Sequence, residues 1–96
     1  MSRSTVFEFR LYIAGDTQNS VHALANLKLL CKAHLPGRHK IDVVDVFLDP
    51  RRALADEIFM TPTLVKLRPP PVRRIVGTLS HTSTVIRTLG LDPLTA

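Results

Sequence analysis

The sequence has little sulfur and few aromatic side chains: one cysteine, Cys31, four phenylalanines, one tyrosine and no tryptophan. A single cysteine excludes a disulfide within the chain and fits a reducing compartment, so we expect a cytoplasmic protein. No apolar run approaches the roughly 20 residues that a membrane-spanning helix needs, and no apolar signal-peptide core follows Met1. The four glycines lie far apart, which excludes a glycine-rich phosphate-binding loop.

Positive charge is present but scattered. The net charge is +5, and the 13 lysines and arginines form only two doublets, Arg51-Arg52 and Arg73-Arg74. No surface for stacking bases is visible, so the pattern does not predict a nucleic-acid-binding protein. A basic balance also fits an anionic surface, an acidic protein partner or simply a soluble basic surface, and the sequence leaves these three open. Length and an apolar content of 45% predict one globular domain over residues 1–96, with flexible ends at 1–5 and 91–96.

Residues that could carry chemistry show no catalytic pattern. The four histidines have no spacing typical of a metal site: His22, His34, His39 and His81. The three aspartates of the middle region are interpreted as strand-edge and capping residues: Asp42, Asp45 and Asp49. Cys31 lies on the apolar stripe of a helix and is interpreted as a small buried hydrophobe. The sequence therefore predicts no enzyme, metal site or cofactor.

The first half of the chain predicts a strand, a helix and a second strand. Residues 6–14 alternate apolar and polar side chains, which is typical of a strand. Residues 21–35 carry a broad helical stripe, with Asn19 or Ser20 as N-cap. Residues 41–48 are apolar on both sides, which predicts a strand covered on both faces.

The second half predicts two more strands between two helices. Asp49 caps a helix that begins with Pro50. Two short apolar runs flank the consecutive prolines Pro69, Pro70 and Pro71, which is typical of strands joined by a stiff turn. The predicted elements are a helix over 51–59, strands over 63–67 and 72–76, and a helix over 81–89 that Ser80 caps and Gly90 ends.

The resulting order, β-α-β-α-β-β-α, predicts an α/β protein with parallel pairing at the front and an antiparallel hairpin at the back. This is the element order of the thioredoxin fold, which carries a cis proline before its third strand, at the position of Pro62. Thioredoxin enzymes also carry a Cys-x-x-Cys after the first strand. Residues 16–20 occupy that position without a cysteine, so a thiol–disulfide exchange enzyme is disfavoured.

Four segments resemble the KaiB family of bacterial circadian-clock proteins. They are L-Y-I-A-G-D-T-Q-N-S at 11–20, D-V-F-L-D-P at 45–50, T-P-T-L-V-K at 61–66 and P-P-P-V-R-R-I-V-G-T-L-S at 69–80. The resemblance implies a non-catalytic protein that docks on the N-terminal ATPase ring of the hexameric KaiC and opposes KaiC phosphorylation. It also implies sequestration of KaiA and an influence on clock-output histidine kinases.

The resemblance further implies two folds: a thioredoxin-like docking form, and a resting homo-oligomer, usually a tetramer, whose second half exchanges helix and strand. β-Branched residues crowd the last predicted helix and favour strand, which gives this metamorphic behaviour a local physical cause. The residues assigned to the fold and its switching are Pro62, Pro69, Pro70, Pro71, Thr88, Gly90 and Asp92.

The resemblance places partner contacts at Lys66, Arg73 and Arg74, and at two positions where the chain departs from the family. Glu57 stands where a docking lysine is usual, and His22 stands where an arginine is usual. The reversed charge at Glu57 leaves an alternative open, a KaiB-like adaptor in a phosphorelay or stress response without rhythm.

Overall fold

The computed structural model describes residues 5–91 and has the predicted order of helices and strands. The elements are β1 (Phe7–Ile13), α1 (Gln18–His34), β2 (His39–Asp45), α2 (Pro50–Ala55), β3 (Thr63–Arg68), β4 (Arg73–Val76) and α3 (Thr82–Leu89). None of the helices in this range is long and apolar enough to cross a membrane.

The four strands form one sheet in the order β2-β1-β3-β4. β1 pairs with β2 in parallel, as the intervening helix α1 requires, and with β3 antiparallel. The β3–β4 hairpin is antiparallel, with Lys66 opposite Arg73 and Thr63 opposite Val76. The parallel front and the antiparallel back that the sequence predicts are both confirmed.

Alternation along β1 divides the core between the two faces of the sheet. Phe7, Phe9 and Leu11 point to one face and are buried there with residues of α1 and α3. Tyr12 points to the other face and is buried in a smaller cluster that includes Ala53 of α2. The face under α1 and α3 therefore holds the main core, and the face under α2 holds a thin one.

The start of α1 differs from the prediction. The helix begins at Gln18, and its N-cap is Thr17, without a side-chain capping bond. Ser20 lies inside the helix and is buried, because its hydroxyl accepts hydrogen bonds from the Ala14 N–H, at 3.0 Å, and from the Thr17 hydroxyl. Ser20 was predicted as an N-cap because a serine before a helix is typical of one, but its side chain closes the turn after β1 instead.

The prediction of a strand at 41–48 covered on both faces is wrong in two respects. β2 is an edge strand that ends at Asp45, and Val43 on it is 41% exposed. The chain turns there because the Asp45 carboxylate accepts hydrogen bonds from the backbone N–H groups of Gly15 and Phe47. The apolar side chains that suggested a longer strand lie on the surface.

The prediction is correct for one end of each short helix, the start of α2 and the end of α3. Asp49 accepts a hydrogen bond from the Arg52 N–H and Pro50 begins α2, as predicted, but α2 ends at Ala55 instead of Phe59. In α3 the N-cap is His81 and not Ser80. Gly90 ends α3 in the left-handed conformation, with φ of 74°, which confirms the predicted stop.

Candidate docking site

Exposed apolar side chains gather where β2 ends and β3 begins. Phe47, Phe59 and Met60 are 71%, 83% and 60% exposed. With Ile58 they line two adjoining pockets of about 230 and 140 Å³. We call these four residues the apolar patch. Exposed apolar surface of this kind, rimmed by polar groups, is typical of an interaction site.

Local hydrogen bonds hold the apolar patch in place. Phe47 lies over Gly15, where an added Cβ would be 3.6 Å from its ring. The Thr63 hydroxyl donates to the Met60 carbonyl over 2.6 Å. Between them, the Thr61–Pro62 bond is cis, as the predicted fold implies. The patch is therefore built on the ends of three strands.

Two of the predicted contact residues meet beside this patch. Arg74 of β4 donates to the Glu57 carbonyl at 3.3 Å and to the Asp56 carbonyl at 2.5 Å. Glu57 is exposed and holds a left-handed backbone, with φ of 57°. The Arg74 side chain thus fixes the turn after α2, and the Glu57 carboxylate stands at the rim of the patch.

The structure separates the other three predicted contacts. His22 is exposed on α1, and Arg73 is exposed on β4. Lys66 is only 4% exposed; its ammonium donates to the Leu89 carbonyl at 3.4 Å and lies 5.9 Å from the centre of the Phe7 ring. Burial, with the nearby Arg73, lowers the pKa of the Lys66 ammonium. In this fold Lys66 holds the end of α3, and its contact with a partner stays a prediction.

A group of charged residues that the sequence did not predict joins α2 to the sheet. The Arg10 guanidinium donates to Asp42 at 3.0 Å and to Asp56 at 3.1 Å, Arg52 donates to Asp42, and the Tyr12 hydroxyl donates to Asp56. The hydrogen bond from Tyr12, opposed by burial and reinforced by Arg10, holds the pKa of the Asp56 carboxyl below its ordinary value.

The same group lowers the pKa of the Asp42 carboxyl. Burial alone would raise that pKa, but the hydrogen bonds from Arg52 and Arg10 outweigh it. An aspartate inside an otherwise apolar strand was the one sequence signal of this group. The prediction that Asp42 is a strand-edge residue and that Asp49 is a cap is confirmed.

Thiol chemistry has no support at the position after β1. Residues 16–19 are exposed and contain no cysteine. Cys31 is fully buried in α1, and burial raises the pKa of its thiol to about 11. Across residues 5–91, no cluster of histidine, cysteine, aspartate or glutamate could hold a metal ion.

The residues assigned to switching lie at the ends of the last elements. Pro62 is buried, and Pro70 and Pro71 are exposed in the β3–β4 turn, where the Arg68–Pro69 and Pro70–Pro71 bonds are cis. Thr88 is half-buried in the last turn of α3. Asp92 lies outside the described residues.

Sequence comparisons agree on one family. The family model for the KaiB domain matches residues 10–91. The chain is 44% identical over 94 residues to the circadian clock oscillator protein KaiB of Prochlorococcus marinus, covering 98% of this chain and 77% of that protein. It is 42% identical over 83 residues to the circadian clock protein KaiB3 of a Synechocystis species, covering 86% and 79%.

Solved structures agree on one fold. The N-terminal domain of Synechococcus elongatus SasA superposes with a TM-score of 0.72 at 18% identity, covering 97% of this chain and 91% of that domain. Mitochondrial thioredoxin 3 of Saccharomyces cerevisiae gives 0.71 at 18% identity, covering 93% and 82%. Identities this low establish the fold alone. The chain therefore has a thioredoxin-like fold, as predicted from its element order.

Proposed function

Because this chain belongs to the KaiB family, we propose that it is a non-catalytic clock regulator. It docks on a hexameric KaiC-type ATPase and opposes the phosphorylation of that ATPase. Sequestration of a KaiA-type protein, contact with histidine kinases, a cytoplasmic location and a homo-oligomeric resting form belong to the same proposal. The relatives carry clock-protein names, which supports a regulatory role over a catalytic one.

The apolar patch is the observation that carries this proposal. A thioredoxin-like fold that lacks a cysteine after β1 keeps the shape of a protein-binding surface without the thiol that would act on the bound protein. Phe59 is 83% exposed, so its burial against a partner removes apolar area from water. Glu57 and Arg74 at the rim supply charges of both signs that set orientation.

The direct test is binding to the purified KaiC-type ATPase of the same organism, with ATP and with ADP, after incubation for hours. We expect the wild-type chain to co-migrate with the ring in size-exclusion chromatography. Phe59→Ser should weaken binding at least about tenfold, because a central apolar anchor contributes more than about 1.4 kcal/mol.

Leu29→Ser is the matched control, because Leu29 is 66% exposed on α1, away from the patch. We expect it to bind the ring as the wild type does. Equal affinity of the wild type and Phe59→Ser would refute the placement of the site. No binding to the ring in either nucleotide would refute the proposal itself.

The reversed charge at Glu57 favours the second candidate, an adaptor in a phosphorelay or stress response. Glu57→Lys separates the two candidates. If the variant gains affinity for a clock KaiC that the wild type lacks, the natural partner is a different protein. If the wild type binds the ring and Glu57→Lys weakens it, the first candidate stands.

A further inference from the structure

Within residues 5–91, β4 is a free edge of the sheet, since the strand order ends with it. Edge strands carry backbone donors and acceptors that can pair with another strand. β4 is also well exposed, with Arg73, Arg74 and Val76 on the surface.

The pairing pattern identifies the outward groups. The Gly77 N–H donates to the Pro62 carbonyl at 2.9 Å, so Gly77 faces inward towards β3. In an antiparallel pair, successive residues direct their N–H and C=O groups alternately to the partner and away from it. Ile75 and Arg73 therefore also face β3, and Arg74 and Val76 present their N–H and C=O groups to the free edge.

A groove of about 440 Å³ runs beside this edge, between β4 and α3. Its apolar lining includes Ile75, Leu79 and Val85, its hydroxyl groups include Thr84, and none of the residues within 5–91 that line it carries a carboxylate. Next to it on β4, the Arg73 guanidinium forms no side-chain hydrogen bond or ion pair with any residue in the range 5–91. Arg73 instead lies opposite Lys66 in the β3–β4 pairing, and an anion would relieve the repulsion between these like charges.

We propose that β4 binds an extended acidic segment of a partner protein by antiparallel strand addition. The backbone groups of Arg74 and Val76 pair with the segment. The segment residue opposite Ile75 points to the α3 side and places an apolar side chain in the groove. Two residues later, opposite Arg73, the segment carries a glutamate or an aspartate. The recognised pattern is apolar-x-acidic.

Charge favours an acidic segment over a second copy of the chain as the partner of β4. Pairing two β4 strands would bring four arginines to one seam, and β4 contributes no carboxylate to balance them. An acidic segment neutralises Arg73 and has the opposite sign to the net charge of +5. The inference depends on the edge strand and the groove, and not on the ATPase partner proposed above.

The probe is the peptide Ser-Thr-Leu-Thr-Glu-Thr-Ser-amide with fluorescein on its N-terminal amine, measured by fluorescence anisotropy against the full chain. We expect saturable binding that weakens with salt, and loss of binding when leucine is replaced by serine in the peptide. Val76→Pro removes one outward N–H while sparing the β3 ladder, and should weaken binding about tenfold. Val76→Thr keeps the N–H and should bind like the wild type.

Charge exchange keeps the test independent of whether the proline variant folds. Arg73→Glu should lower the affinity for the glutamate peptide about tenfold. The same variant should bind a peptide with lysine in place of glutamate more tightly than the wild type does. The proposal is overturned if Arg73→Glu binds the two peptides as the wild type does. It is also overturned if amide shifts on peptide binding map to Phe59 and Met60 instead of Arg74 and Val76.

Discussion

Among single residues, Asp56 has the most consequential contacts, because its carboxylate accepts from Tyr12 and Arg10 of β1 while its carbonyl accepts from Arg74 of β4. One residue at the end of α2 thus meets two strands, β1 through its side chain and β4 through its backbone carbonyl. Its side chain is 34% exposed, so solvent screens part of each interaction.

Tyr12→Phe removes the hydrogen bond that contributes most to the lowered pKa of Asp56. We expect it to lower the free energy of unfolding by about 1 kcal/mol at neutral pH. A carboxyl with a lowered pKa stabilises the fold above its ordinary pKa of about 3.9, and that stability is lost as the pH falls through the folded pKa. The fall in the free energy of unfolding at acid pH should therefore be smaller in Tyr12→Phe than in the wild type.

Urea unfolding at a series of pH values below 5 measures this difference. Glu8→Gln is the control, because Glu8 pairs with Arg68, whose side chain is 76% exposed. Its acid profile should follow the wild type. Parallel wild-type and Tyr12→Phe profiles would show that the Tyr12 hydroxyl does not act through Asp56.

Cys31 supports a second prediction at this scale. A thiol pKa of about 11, raised from an ordinary value of 9.0, leaves about 100-fold less thiolate, and full burial blocks reagents. Ellman's reagent should not modify the folded chain within minutes and should modify it fully in denaturant. Rapid reaction of the folded chain, or disulfide reductase activity that Cys31→Ser abolishes, would contradict the non-enzymatic proposal.

Among the elements, α3 has the weakest local preference for its own structure. Five of its eight residues are β-branched: Thr82, Thr84, Val85, Ile86 and Thr88. Such residues lose χ1 freedom in a helix and pack well in strands. Tertiary contacts hold the helix, since Val85 and Leu89 are buried and Lys66 donates to the Leu89 carbonyl. An exchange of fold in this half therefore stays a prediction with a stated local cause.

The end of α3 gives the element-scale prediction. Gly90 has φ of 74°, a conformation that an L side chain with a Cβ adopts at a cost. Gly90→Ala should lower the free energy of unfolding by about 1 kcal/mol, and Gly90→Asn by less, because asparagine tolerates this conformation. Thermal unfolding followed by circular dichroism ranks the three chains. A variant with alanine as stable as the wild type would mean that α3 does not end in this way.

At the scale of the whole molecule, the two faces of the sheet are unequal. α1 and α3 bury a large apolar cluster, whereas α2 has six residues, of which only Ala53 is buried. Hydrogen bonds and ion pairs of Asp56 and Asp42 supply much of the attachment of α2 to the sheet. The thin face is also the face that carries the turn with Glu57.

Native-state hydrogen exchange measures this inequality. The amides of Leu11 and Val65, in strands with a neighbour on each side, should exchange at least about 100-fold more slowly than those of Leu54 and Ala55 in α2. The reason is that α2 opens without exposing the main core. Equal protection of α2 and β1 would show that the two faces unfold together.

The sequence predicted the order and type of every element in residues 5–91, because periodicity, prolines and the stop at Gly90 agree with the tertiary structure. Predicted boundaries were wrong at turns that are closed by side-chain hydrogen bonds. Ser20 and Asp45 close turns through hydrogen bonds that no local pattern reveals. Lys66 looked like a surface cation, yet it is buried against the end of α3.

The central place of β1 also fixes when the sheet can be completed during protein synthesis. β1 leaves the ribosome before the other strands of the sheet, and its antiparallel partner β3 follows about fifty residues later, so one edge of β1 stays unpaired while those residues are made. The β3–β4 hairpin closes over a few residues and can form as soon as it emerges. The sheet is therefore completed late, when the β3–β4 hairpin pairs with β1, which was made earlier.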